Sequence, residues 1–90
     1  MDRFQEMQVF AAVAQEQGFS AAARRLGLSA ASVTRAVAAL EERIGTLLLT
    51  RTTRSVHLSE AGQRYLEDCR RILAEVQEAE DSAAGSHAQP

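Results

Sequence analysis

The sequence predicts a mainly α-helical domain that contains a helix-turn-helix, a small β-hairpin and a long C-terminal helix. Three observations carry this prediction. The chain has 90 residues, 46% of them hydrophobic, which allows one domain with one core. Apolar residues recur every three or four positions along most of it, as on one face of a helix. Two of the helical segments are separated only by Gly27-Leu28-Ser29, the short connection of a helix-turn-helix.

The first helix is predicted over about residues 3–17. Phe4 and Phe10 lie on its apolar face, and we expect both in the core. Asp2 is a suitable cap at its start, and Gly18 suits the left-handed position that ends it.

The next two helices form the predicted helix-turn-helix. Ser20 is the expected N-cap of a short second helix that Gly27 ends. Ser29 is the expected N-cap of a longer third helix that Gly45 ends. The third helix has an apolar stripe that should face the core: Val33, Val37, Leu40 and Ile44.

Residues 46–58 predict the hairpin, because β-favouring residues replace the helical periodicity there. Arg51 and Arg54 flank its expected tip. A projecting hairpin with arginines at its end can enter a DNA minor groove, whereas the plainer interpretation is two solvated charges on a turn.

The last helix is predicted from residue 60 to about 82, with Ser59 as its N-cap. At roughly 34 Å it is longer than the rest of this small domain can cover. For Cys69 we expect a small buried hydrophobe and not a redox sensor. The apolar residues of this helix form a heptad-like seam: Tyr65, Leu66, Cys69, Ile72, Leu73 and Val76.

Charge is unevenly distributed along the chain. The net charge of −2 alone argues against nucleic-acid binding. Residues 20–59, however, contain six arginines against two glutamates, and residues 60–90 contain three arginines against seven acidic residues. A basic middle of +4 therefore precedes an acidic C-terminal third of −4. All ten cations are arginine, which suits bidentate recognition of phosphate or guanine, although genomic codon bias is the plainer explanation.

Several classes of protein lack support in this sequence. There is no basic-then-apolar N-terminus typical of a signal peptide, and no apolar run long enough to span a membrane. One cysteine cannot form an internal disulfide, and two histidines with it argue against a structural zinc site. No phosphate-binding glycine loop, HExxH or nucleophile elbow is present, so nothing indicates an enzyme.

Four stretches together carry a family resemblance: FSAAARRLGLS, LEERIG, RTTR and LSEAG. In order and spacing, about residues 3–80 resemble the N-terminal winged helix-turn-helix domain of LysR-type transcriptional regulators. The resemblance implies sequence-specific binding of double-stranded DNA, with the recognition helix, about 30–44, in the major groove and the wing, 51–54, in the minor groove. It also implies a homodimer through the seam of the last helix.

The expected DNA-binding residues follow from the helix starts, the basic middle and the resemblance. The plainer interpretations, helix capping for the serines and a solvated face for the others, stay open at this point. The set is Ser20, Arg24, Ser29, Ala30, Ala31, Ser32, Thr34, Arg35, Arg51, Thr53 and Arg54.

One stretch departs from the family pattern. Where the family often has LSPSAVSRQI, this chain has LSAASVTRAV, so alanines stand at positions 30, 31 and 36. Fewer polar groups are then available to read bases, and we expect more reliance on backbone contacts, wing contacts and DNA shape.

The predicted organisation is a DNA-binding domain over residues 1–58, a linker and dimerisation helix over 59–82, and a flexible linker over 83–90. No cofactor is expected here, and a small-molecule effector only for a C-terminal domain that the family carries after the linker. We expect a cytoplasmic protein with no membrane contact. A protein-interaction module is the alternative, since the seam could pair with a different partner.

Overall fold

A computed structural model describes residues 1–52 and 55–85. Within these residues the elements follow the predicted order, and the mainly helical, winged helix-turn-helix class is confirmed. The elements are α1 (Arg3–Glu16), α2 (Phe19–Leu26), α3 (Ala30–Ile44), β1 (Leu49–Arg51), β2 (Val56–Leu58) and α4 (Glu60–Ala84).

Three helix starts have the predicted caps. The Asp2 carboxylate accepts the Gln5 backbone N–H at 2.8 Å, and the Gln5 side chain accepts the Asp2 N–H at 2.9 Å, which completes a capping box. Ser29 and Ser59 each accept the backbone N–H three residues further on, at 3.0 and 2.9 Å. These local hydrogen bonds fix where α1, α3 and α4 begin.

The turn between α1 and α2 differs from the prediction at two positions. Gly18, not Ser20, is the N-cap of α2, and Ser20 lies in its first turn. The helix starts earlier because Phe19 packs against the core. Gln17, not Gly18, has the left-handed backbone that ends α1, with φ 58°, since Gly18 must be extended to begin α2.

The core lies between α1, α2 and α3 and is closed by the wing and the first half of α4. The predicted stripe of α3 is confirmed at Val33, Val37 and Leu40, which are fully buried. Phe4 and Ile44 were expected there and lie elsewhere, with 36% and 41% of their surface exposed. Each stands at a helix end, beyond the reach of the packed neighbours.

The wing is a two-stranded antiparallel hairpin. Leu49 pairs with Leu58 and Arg51 pairs with Val56, so Arg51 is the last residue of β1 before the turn. The hairpin begins directly after Leu48, which is buried and anchors it to the core.

Only the first half of α4 packs on the domain. Leu66 and Cys69 are buried, whereas Val76 is half-buried and the residues after it in the helix are exposed. The helix continues to Ala84, two residues beyond its predicted end. At 25 residues it is about 37 Å long, so its second half projects from the body.

Candidate nucleic-acid interface

The first turn of α3 presents a connected set of polar side chains. The Ser29 hydroxyl donates to the Ser32 hydroxyl at 2.9 Å, and the Arg35 guanidinium donates to the Ser32 hydroxyl at 3.3 Å. The set therefore orients Arg35 toward the N-terminus of α3, where backbone N–H groups favour an anion.

The rest of this surface is open. Ala30, Ala31 and Arg35 are exposed, and Ser32 and Thr34 are half-buried, while Val33 and Val37 face the core. These five outward residues of the predicted set thus share one face of α3. The alanine at position 36 is different, because Ala36 is buried and only 6% exposed. An alanine in place of the common family glutamine therefore changes the inner edge of this face.

Two neighbouring arginines of α2 differ in their partners. Arg25 donates to the Gln15 side chain at 2.8 Å and pairs with Glu16 at 3.3 Å, which ties α2 to α1. Arg24 is exposed and has no such partner among residues 1–52 and 55–85. Of the two, Arg24 is therefore the one whose charge is available to a ligand.

The wing places Arg51 against α2. Its guanidinium carbon lies 4.2 Å from the centre of the Phe19 ring, a cation–π distance. Ser20 follows Phe19 and is exposed. The structure thus brings Arg51 and Ser20 of the predicted set to one edge of the domain. Thr53 and Arg54 of that set lie outside the described residues.

One glutamate of α3 holds the start of the wing by hydrogen bonds. The sequence identified it only as a charged residue. The Glu41 carboxylate, near the end of α3, accepts the backbone N–H groups of Leu48 and Leu49 at 2.8 and 3.1 Å. An acidic residue is unfavourable near a helix C-terminus, but the exposed Glu42 shares this position, so the sequence alone did not single out Glu41.

A second ion pair removes one arginine from the basic surface. Arg43 of α3 pairs with Glu6 of α1, whose side chain is buried. The pair cross-links the two helices. Part of the basic charge counted over residues 20–59 is therefore used inside the domain.

The seam of α4 divides into two parts. Leu66 and Cys69 are buried in their own chain, and the half-buried Tyr65 packs on Phe10 with ring centres 5.5 Å apart, so these three residues of the predicted seam already pack within their own protomer. They pack on the core because α1 lies across the first half of α4. Ile72, Leu73 and Val76 are half-buried; Ile72 also packs against the core, whereas Leu73 and Val76 remain available to a second helix.

Burial changes the chemistry of Tyr65 and Cys69. Desolvation, with a smaller effect from Cys69, raises the pKa of the Tyr65 hydroxyl to about 12. Desolvation also raises the pKa of the Cys69 thiol, although a hydrogen bond with Tyr65 opposes the shift. Both groups are thus neutral at physiological pH, as expected of a core pair.

Two kinds of feature were not found among the described residues: a cluster of metal-ligating side chains and a membrane-spanning helix. Within 1–52 and 55–85, no three histidine, cysteine or acidic side chains cluster as metal ligands. No helix in that part of the chain combines the length and the apolar character needed to cross a membrane.

Three helices with the third exposed at its start, followed by a hairpin wing, define a winged helix-turn-helix protein. Residues 4–63 match the family described as bacterial regulatory helix-turn-helix protein, lysR family. The chain belongs to this family.

Characterised relatives agree with the assignment. HTH-type transcriptional activator AaeR of Escherichia coli K12 is 44% identical over 78 residues, which cover 87% of this chain and 25% of that protein. HTH-type transcriptional regulator CrgA of Neisseria meningitidis serogroup B is 40% identical over 86 residues, 96% of this chain and 29% of that protein. The chain therefore spans about a quarter of the length of the curated relatives it matches.

Solved structures match over almost the whole chain. The CbnR DBD–DNA complex has a TM-score of 0.87 at 38% identity and covers 97% of this chain and 99% of that one. The BenM DBD in complex with catB site 1 DNA has a TM-score of 0.90 at 26% identity, with 100% and 99% coverage. Both are similar domains determined in complex with DNA.

Proposed function

We propose that this chain is the DNA-binding domain of a transcriptional regulator and that it binds a partly palindromic site in double-stranded DNA as a homodimer. The observation that carries the proposal is the exposed first turn of α3, where Ser29, Ser32 and Arg35 form one hydrogen-bonded set. A helix that presents its N-terminal side chains in this way fits the DNA major groove.

The charge distribution supports the same orientation. Arg24, Arg35 and Arg51 are exposed on the α2, α3 and wing side of the domain. The second half of α4 carries Glu75, Glu78, Glu80 and Asp81, so it should lie away from the phosphates. The overall charge of −2 thus conceals a basic face.

The similar domains supply the third line of support. CbnR DBD was determined in complex with DNA, and it matches this chain over nearly its whole length. A non-enzymatic role in the cytoplasm is part of the proposal, since AaeR and CrgA are transcriptional regulators. The small-molecule effector expected for a separate C-terminal domain stays a prediction.

The first test is selection from random-sequence DNA at two salt concentrations. We expect one partly symmetric site to be enriched. If the three exposed arginines of each of two protomers each neutralise one phosphate, the binding constant falls as salt rises. A plot of its logarithm against the logarithm of the salt concentration then has a slope of about −5. Two recognition helices about 34 Å apart would place the half-sites one helical turn apart. Absence of binding at both salts would favour a protein-interaction module.

Arg35→Ala tests the recognition helix directly. We expect it to weaken binding to the selected site by about tenfold or more, because the guanidinium can no longer bind guanine or a phosphate. Arg71→Ala is the matched control, since Arg71 is exposed on α4 and pairs with Asp68 at 2.9 Å. Equal affinities of the two variants, measured by fluorescence anisotropy, would contradict the assignment of α3.

A further inference from the structure

The contact between Arg51 and Phe19 joins two separate elements. Arg51 ends β1, and Phe19 is the first residue of α2. The guanidinium carbon lies 4.2 Å from the ring centre, while Phe19 is half-buried and packs against the core. A ring anchored in the core therefore supports an exposed cation at the end of β1 that adjoins the hairpin turn.

Arg51 keeps its full charge in this arrangement. Its ring partner is neutral, and no carboxylate pairs with it among the described residues. Other arginines are partly neutralised by ion pairs: Arg25 with Glu16, Arg43 with Glu6, Arg64 with Glu60, and Arg71 with Asp68. Arg51 is thus held in place without giving up the charge that an anion would require.

The contact with the ring also leaves the hydrogen-bonding groups of Arg51 available, since a cation–π contact needs no N–H donor bonded to a carboxylate or carbonyl. Where the flat face of a guanidinium packs on a ring, its five N–H donors point outward in the plane. A side chain that is already oriented loses less conformational entropy when it binds a phosphate. The ring therefore supplies orientation and uses none of the donors.

We propose that Phe19 is a positioning residue for DNA binding, whose ring orients the Arg51 guanidinium toward a backbone phosphate. The inference rests on the proposed DNA-binding function. It adds a residue that neither the basic pattern nor the polar set on α3 identifies. Phe19 acts through Arg51 and need not touch DNA.

A double-mutant cycle tests the proposal. Phe19→Leu, Arg51→Ala and the double variant are titrated with the selected duplex over a range of salt concentrations. The slope of the logarithm of the binding constant against that of salt is negative. Arg51→Ala should make this slope smaller in magnitude by about one for every phosphate contact that is lost. Phe19→Leu should weaken binding about threefold or more, and should have little further effect once Arg51 is alanine.

The controls separate positioning from stability. Phe19→Tyr keeps the ring and should bind as the wild type does. Phe4→Leu makes the same substitution on α1 and should leave binding unchanged. Additive effects of Phe19→Leu and Arg51→Ala, or an unchanged salt slope in Arg51→Ala, would overturn the proposal. Failure of the wild-type chain to bind DNA would instead overturn the proposed function.

If the Phe19→Leu variant does not fold, NMR chemical shifts of the wild-type chain still test the proposal. Protons on the Arg51 side chain should resonate upfield because they lie over the Phe19 ring. Phe19→Tyr should retain this shift. Ordinary chemical shifts for Arg51 in the folded wild-type protein would contradict the stacked orientation.

Discussion

At the residue scale, Gly62 shows how closely α4 approaches the start of the wing. A Cβ at this position would lie 2.0 Å from the carbonyl oxygen of Leu48 and 2.9 Å from its carbonyl carbon. Both are backbone atoms of a buried segment, so neither can move aside without shifting β1. The glycine of the LSEAG stretch is therefore required by packing.

We predict that Gly62→Ala destabilises the domain by about 2–4 kcal/mol, as an overpacked core position does. This direction opposes helix propensity, by which alanine should gain roughly 1 kcal/mol over glycine. Gly18→Ala is the control without a steric clash, because a Cβ there meets nothing within 4 Å beyond its chain neighbours; it should cost only about 1 kcal/mol or less, from the poorer N-cap. Chemical denaturation measures both, and a Gly62→Ala variant as stable as the wild type would refute the close approach.

The half-buried tyrosine, Tyr65, predicts a loss of stability at high pH. The pKa of Tyr65 is raised from its ordinary value of 10.0 to about 12, so the folded state holds this proton more tightly than the unfolded state does. Its contribution to stability is then complete below pH 10 and is lost as the pH rises through 12. The raised pKa of Cys69 acts in the same direction.

The protein has one tyrosine, so its titration can be followed by tyrosinate absorbance without interference. We expect ionisation well above pH 10 in the folded protein, and a smaller alkaline loss of stability in Tyr65→Phe. Ordinary titration near 10 in the folded state would show that the hydroxyl is solvated.

At the element scale, the wing is held to α3 by one carboxylate. Glu41 accepts two backbone N–H groups that precede or begin β1, and these are charge-assisted hydrogen bonds. The brace lies at the end of α3 opposite the recognition turn. It sets where the hairpin leaves the body of the domain.

Glu41→Ala should lower the free energy of unfolding by about 1–3 kcal/mol, because two partly buried N–H donors lose their partner. Glu42→Ala removes the same charge from the next position, which is exposed, and should change stability by less than about 0.5 kcal/mol. Thermal denaturation compares them. Equal stability of the Glu41→Ala and Glu42→Ala variants would mean that the hydrogen bonds of Glu41 contribute nothing to the free energy of unfolding.

At the scale of the whole molecule, the second half of α4 lies outside the domain core. Ile72, Leu73 and Val76 form a half-buried strip on a helix that is otherwise exposed beyond them. Such a strip is typical of a helix that pairs with another helix. Dimerisation should therefore depend mainly on Leu73 and Val76, because Ile72 and the first part of the seam also pack on the core of their own chain.

Val76→Asp should weaken the dimer by about tenfold or more and leave the fold of each protomer intact, since a charge would enter the helix–helix contact. Ala74→Asp adds the same charge to an exposed position and is the control. Sedimentation equilibrium gives the dissociation constants, and circular dichroism checks the fold. Equal dissociation constants for the two variants would exclude this strip from the interface.

The sequence by itself determined the element order, three helix caps and most of the core. Periodicity and capping are local properties, so Ser29, Ser59 and the stripe of α3 could be placed from their neighbours in the chain. Motif resemblance identified the polar face at the start of α3. The same local reasoning misplaced the cap of α2, because Ser20 is a better cap by residue type than Gly18.

Only the tertiary structure decided which partners these residues have. The contact between Arg51 and Phe19 joins residues far apart in sequence, and so does the ion pair between Arg43 and Glu6. A heptad-like seam on α4 cannot show where the core ends and a free surface begins, since both require the same apolar spacing. The position of α1 across α4 divides that seam into a part that packs on the core and a part that does not. Local periodicity cannot predict this division, because it depends on an element that is distant in the sequence.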